Sequence, residues 1–357
     1  MKPLLTTTIG AYPKPSYTPV PNWADLGLKE GEALTEKFDY YLASLDNNDD
    51  AALDRATQEV VQEQVRLGID IPTDGEIRRE HYIFYHCRHV SGISFEALTP
   101  KILRGYWPAQ VPTVTGPIHA RAPFLVRDWQ IAQQVTEKSV KMTLPGPLTV
   151  ADSLANQYYQ TSADFARAWA GSLNVEIRRL ADAGCHWIQI DEPVFARQVD
   201  AALSFGVECL ERCFANVPDH VQKVVHICCG YPAGLDDDRG TKADPQAYFH
   251  LADSIEDSVV SAVSIEDGHC HNDLTLLERY RKTTIILGTI DIANSEVEPA
   301  ETIAGRLHDA LEHIDAKRLM VAPDCGLVML PRALAMQKLS NMVTAANMVR
   351  SKINKLA

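Results

Sequence analysis

The chain has 357 residues, 46% of them hydrophobic, and a formal net charge of −13 from 34 Lys and Arg against 47 Asp and Glu. That is enough apolar material for a large core, and it excludes a nucleic-acid or anionic-membrane surface, because phosphates need clustered cations and no basic stretch occurs. The eight cysteines are scattered through the chain and do not make the dense framework of a small secreted domain. There is no secretory signal pattern and no apolar run of the ~18 residues a spanning helix needs, so the expected location is the cytoplasm.

Taken in order, residues 4–9 (LLTTTI) read as a first strand that stops at Gly10. Residues 54–67 are a helix, with Val60, Val61 and Val65 among polar positions and Gly68 as its stop. A second strand covers 69–76 and has a polar end at Asp74-Gly75-Glu76. From 78 to 134 the alternation breaks into an aromatic, proline-bearing stretch, read as an inserted hairpin and loop that would act as a lid. Residues 141–144 form a third strand. Residues 164–183 form the clearest helix, with Phe165, Trp169, Leu173, Ile177 and Leu180 on one face. The remaining strands fall at 186–190, 224–230, 261–265, 284–289 and 319–322, with helices over 303–314 and 332–353.

Eight short, continuously apolar strands alternating with helices predict a parallel sheet covered on both faces. The natural closure is an α/β fold of the (β/α)8 TIM-barrel type, one catalytic domain over 1–357. In that fold the site lies at the C-terminal strand ends. Here those ends carry Gly10, Glu76, Gly146, Asp191, His226 with Cys228, Glu266, Asp291 and Cys325. Along the fifth strand, alternation puts His226 and Cys228 on one face and Cys229 on the other.

His226, Cys228, Glu266 and Cys325 offer a nitrogen, two sulfurs and an oxygen, a donor set for tetrahedral zinc. Two thiolates and a carboxylate outweigh the ion's charge. Such a zinc is a weak Lewis acid toward water but holds an incoming thiol as its thiolate. Glu266, the hardest ligand, is the one expected to be displaced. His269 and His271 follow closely and are read either as groups orienting a ligand or as surface residues. The other cysteines are read as packing.

The motifs TTTIG (6–10), DGE (74–76), IQIDEP (188–193), HIC (226–228), IE (265–266) and PDCG (323–326) together resemble the C-terminal catalytic barrel of cobalamin-independent methionine synthase, over nearly the whole chain and in a short, core form. The resemblance implies methyl transfer to the zinc-bound thiolate of homocysteine, giving methionine. It assigns the zinc to His226, Cys228, Glu266 and Cys325, and the homocysteine ammonium to Glu76 and Asp191. Ile9, Gly10 and Ala11 would receive the carboxylate through backbone amides. Glu266 and Asp291 are carried as the catalytic residues.

Three positions depart from the family pattern. Ala11 stands where the family has Ser, Ser153 where it has a pterin-contacting Trp, and Ala293 where it has a His. The thiol half is kept and the folate half eroded, so the expected donor is methyl-tetrahydrofolate or a methyl-corrinoid, with or without a helper protein. The competing reading is a zinc-dependent epoxide–coenzyme M transferase. It is disfavoured because Glu76 and Asp191 would repel a sulfonate.

Overall fold

The computed structural model describes residues 2–26, 31–104, 107–232, 234–237 and 242–356, with side chains to 353. Among the described residues there are nine strands: β1 (Val90–Leu103), β2 (Trp107–Ala120), β3 (Lys141–Pro145), β4 (Ala155–Asn156), β5 (Trp187–Asp191), β6 (Gln222–Ile227), β7 (Ala262–Ile265), β8 (Thr284–Gly288) and β9 (Leu319–Ala322). Six of them form one parallel sheet in the order β3-β5-β6-β7-β8-β9.

The two N-terminal segments close this sheet into a ring. Parallel bridges join Thr6 to Val321, Thr7 to Ile71 and Thr73 to Lys141. Backbone bonds run from Thr7 N to Val321 O (3.0 Å), Ile71 N to Thr6 O (3.0 Å) and Lys141 N to Pro72 O (2.8 Å). The eight expected staves are therefore present, but the first two meet their neighbours at single bridges. Pro72 has no N–H to give a ladder, and side chains take up the slack. Thr7 Oγ1 donates to Ile71 O (2.7 Å), and Asp70 Oδ2 accepts the Thr6 amide (3.0 Å).

Alternation sorts the side chains into two layers. Ile9, Ile71, Val224, Ala262, Ile286, Met320 and Ala322 form one cluster inside the barrel. Val225, Ile227, Val263, Ile265, Ile188 and Ile190 belong to the larger cluster shared with the surrounding helices. His226 thus follows Val224 into the barrel, and Cys229 faces outward, where its Sγ meets Tyr248 Oη at 3.5 Å.

The helix expected at 54–67 runs over Asn47–Arg66. Asp46 caps it, accepting the amides of Asn48 and Asp49 while Asp49 accepts the Asp46 amide. The helix expected at 164–183 runs over Ser162–Asp182, started by Thr161. The stretch 78–134 contains the expected hairpin, β1 against β2, over 90–120. Its C-terminal part is the helix Leu125–Gln133, which packs between the Asn47–Arg66 and Ser162–Asp182 helices as part of the outer ring. Among the described residues no helix is long and apolar enough to cross a membrane.

Candidate active site

Three loops meet at the C-terminal mouth of the barrel, and each is bent there by a local necessity. The DGE turn passes through the left-handed region, with Gly75 at φ +68° and Glu76 at φ +56°. That conformation is costly for a residue with a Cβ and is found mostly at functional sites. Asp74 Oδ1 accepts the Glu76 amide at 3.1 Å and stabilises the turn. Gly10 sits opposite. A Cβ there would come within 2.6 Å of Glu76 Oε1, so a glycine is what lets this carboxylate lie against the first loop. Leu327 N donates to Ala11 O (2.7 Å) and Tyr12 N to Gly75 O (3.0 Å), tying the first loop to the other two.

Among the described residues, three side chains form a group that could hold a metal ion. One ligand atom each from His226, Cys228 and Cys325 lies within 4.8 Å of the other two. His226 Nδ1 pairs with Ser264 Oγ at 3.0 Å, which turns Nε2 toward Cys325 Sγ at 3.4 Å. The second-nitrogen bond is the usual device for orienting a ligating imidazole. The hydrogen bond from Cys325, with help from His226, holds the Cys228 thiol well below its ordinary range, and Cys325 is pushed up in return. Burial pulls the His226 imidazole down, but Cys228, Asp191 and Glu266 outweigh it and the net shift is upward.

Glu266 lies beside the cluster, with its oxygens engaged elsewhere. Oε1 accepts Lys242 Nζ at 2.9 Å and Oε2 accepts the Cys229 amide at 2.9 Å. Burial, then Cys228, raises its carboxyl to about 7 against the pull of Lys242. His269 stands behind it, with Nδ1 at 3.2 Å from Asp324 Oδ2 and 3.6 Å from Glu266 Oε2. His271 is exposed.

Asp191 stands level with His226 on the neighbouring strand β5, and Glu76 ends the DGE turn. Glu76 Oε1 accepts Thr143 Oγ1 (2.7 Å) and pairs with Arg79 Nη1 (3.1 Å). Burial raises its carboxyl despite the guanidinium. Asp191 Oδ1 accepts Gln189 Nε2 (2.7 Å), which also donates to Ile9 O (2.8 Å). Burial pushes Asp191 up to about 7, partly offset by His226 and reinforced by Glu76. Burial raises both carboxyls, and an incoming cation favours their ionised forms.

Asp291 is used locally. Its Oδ1 accepts the Ala293 amide two residues on (2.8 Å), and its carbonyl accepts Lys338 Nζ (3.1 Å). Sequence reasoning missed Ser264, Thr143, Gln189, Arg79 and Lys242. Ser264 and Gln189 lie two residues before Glu266 and Asp191 on the inward face, and Thr143 is level with Gln189, so alternation could have found them. Arg79 and Lys242 carry no such signal.

The donor set fits a zinc ion. Ligand bonds of ~2.0–2.3 Å in a tetrahedron set neighbouring donors roughly 3–4 Å apart, and two sulfurs with an imidazole nitrogen suit that metal. The fold and site together define an α/β-barrel protein with two thiols, an imidazole and two buried carboxylates at the C-terminal strand ends. Within that class the chain belongs to the cobalamin-independent synthase family, catalytic domain, whose pattern matches residues 4–348.

The chain is 31% identical over 359 residues to a methionine synthase of Saccharolobus solfataricus, covering 99% of this chain and 97% of that one. It is 29% identical over 357 residues to a methionine synthase of Sulfolobus acidocaldarius, covering 99% and 94%. The solved structure of a B12-independent methionine synthase from Shewanella sp. W3-18-1, in complex with selenomethionine, superposes with a TM-score of 0.86 at 29% identity over 99% of each chain. A structure from Listeria monocytogenes, at TM-score 0.70 and 18% identity, shares the fold alone.

Proposed function

We propose that this chain is a zinc-dependent methyltransferase that moves a methyl group to the sulfur of homocysteine and releases methionine without cobalamin as its own cofactor. Family membership carries the coarse activity. The observation that supports the rest is the grouping of His226, Cys228 and Cys325, the first two buried, at a barrel mouth that also holds the buried Glu76 and Asp191. In this reading Glu76 and Asp191 accept the substrate ammonium, whose charge draws both into the ionised form. The backbone at Ile9, Gly10 and Ala11 receives the carboxylate. His226, Cys228 and Cys325 would hold zinc, and Glu266 beside them would be the fourth ligand.

A zinc ion in that cluster supplies one thing: it keeps a thiol deprotonated at neutral pH. The chain's own groups do the rest. Ser264 fixes the imidazole, and burial excludes water. The Glu76 and Asp191 pair sets the amino acid so that its sulfur points at the cluster. The sulfur lone pair forms the new S–CH3 bond, and the donor keeps the electron pair of the bond that breaks. The hairpin of 90–120 reaches the loop after β6 through one residue. Its Arg104 Nη1 donates to Tyr231 O at 3.0 Å, just past the metal strand, and Tyr231 Oη donates to Gly326 O at 2.8 Å.

The donor is a methyl-folate or a methyl-corrinoid, with or without a helper protein. Ser153, where a pterin-stacking ring is expected, donates instead to Thr149 O at 2.7 Å. All eight cysteines are free, which supports a reducing, cytoplasmic setting. The test is single-turnover methylation of homocysteine with methyl-tetrahydrofolate, and separately with methylcobalamin, on zinc-loaded and zinc-stripped protein. Methionine formed only by the loaded protein supports the reading. Equal turnover by both forms, or preference for a sulfonate thiol over homocysteine, overturns it.

A further inference from the structure

Lys242 stands where no motif reaches. The bond from Ala243 N to Cys229 O (2.7 Å) brings its segment back against the end of β6. From there Nζ reaches Glu266 Oε1 at 2.9 Å, across to the end of β7. The Glu266 side chain is fully buried, and that of Lys242 is 20% exposed. With the Cys229 amide on the other oxygen, the carboxylate is drawn to one side, and its oxygens do not join the grouping of His226, Cys228 and Cys325 donors.

We propose that Lys242 is a positioning residue that receives the Glu266 carboxylate when a substrate thiol takes its place at the metal. The inference rests on the metal reading above. The physical reason is charge. Two thiolates and Glu266 already exceed the charge of a divalent ion by one. A third thiolate arriving sets Glu266 free as a buried anion. An unpaired buried carboxylate is costly unless a cation and donors await it. Lys242 and the Cys229 amide are such a resting place. The ammonium competes with the ion for Glu266, so it weakens metal binding slightly while making room for the thiol.

The test separates these two effects. Zinc affinity is measured by competition with a chromophoric chelator. Homocysteine affinity is measured by calorimetry, with the sulfur-to-metal charge-transfer band of cobalt-loaded protein as a second readout. Lys242→Met should bind homocysteine about 10- to 100-fold more weakly, the range for losing a charged hydrogen bond, with zinc affinity equal or higher. Lys242→Arg should keep most of the thiol affinity. In a Glu266→Gln background, where no carboxylate needs a cation, Lys242→Met should have no further effect. Homocysteine affinity within twofold of the parent, or zinc and homocysteine affinity falling together, overturns the inference alone. Parent protein that retains no zinc overturns the metal reading and this inference with it.

Discussion

At the mouth of the barrel, single side chains carry the chemistry, and their removal has distinct signatures. Cys325→Ser takes one soft donor from a three-member cluster. We expect zinc content after dialysis to fall well below stoichiometric, as read by elemental analysis, and full retention would remove Cys325 from the centre. Glu76→Gln keeps the shape of the site but not its charge. Homocysteine binding should weaken by about 1–3 kcal/mol, the worth of a charged hydrogen bond, as read by calorimetry. An unchanged affinity would take Glu76 out of the amino-acid site. The same residue shows what a motif hides. DGE was legible as a strand end, but its partners Arg79 and Thr143 and its left-handed backbone were not, because they depend on how the turn meets β3.

At the scale of elements, ends were harder to read than interiors. The Asn47–Arg66 helix begins seven residues before the start expected from its apolar stripe (54 − 47 = 7). Its first turn is polar and held by the Asp46–Asp49 capping box, which has Asp in place of the usual Glu or Gln. Asp46→Ala should cost about 1 kcal/mol of stability, measured by urea unfolding at fixed metal loading. A change under a few tenths would mean the extra turns rest on packing alone. The hairpin was legible as an interruption, though its extent was not. The helix Leu125–Gln133 belongs to the outer ring, and only its packing against two other helices says so. Arg104→Ala should speed amide exchange in β1 and β2 while leaving zinc affinity in place. Unchanged exchange would mean the hairpin is held by its other contacts, such as Lys101 Nζ to Leu154 O at 2.7 Å.

For the molecule as a whole, the barrel interior is more polar than a packed apolar stack. Lys141 is fully buried there, and its Nζ donates to Gln189 Oε1 at 2.5 Å. Burial lowers its ammonium to about 7. Below that pH it is charged in both the folded and unfolded chain, and the fold bears the full desolvation penalty. As pH rises from about 7 toward the ordinary lysine value, the folded chain binds fewer protons than the unfolded one, so stability increases. Lys14, lowered to about 7 by burial as well, adds to that slope. Lys141→Met should therefore show a flatter rise in urea midpoint between pH 7 and 8.5 than the parent. Equal slopes would mean Lys141 stays charged inside the barrel.

From the sequence alone came the eight staves, the family and four expected metal donors, His226, Cys228, Glu266 and Cys325, of which the structure groups His226, Cys228 and Cys325. Apolar runs and period-two alternation are local facts, and they force those side chains to one end of a closed parallel sheet. Only the tertiary structure decided the partners: Ser264 on the imidazole, Arg79 on Glu76, and Lys242 on Glu266. Those contacts join residues from different strands and loops, so they exist only once the ring closes. Burial at that closed mouth then gives each charge its cost, which is why the behaviour of the site could not be read from spacing alone.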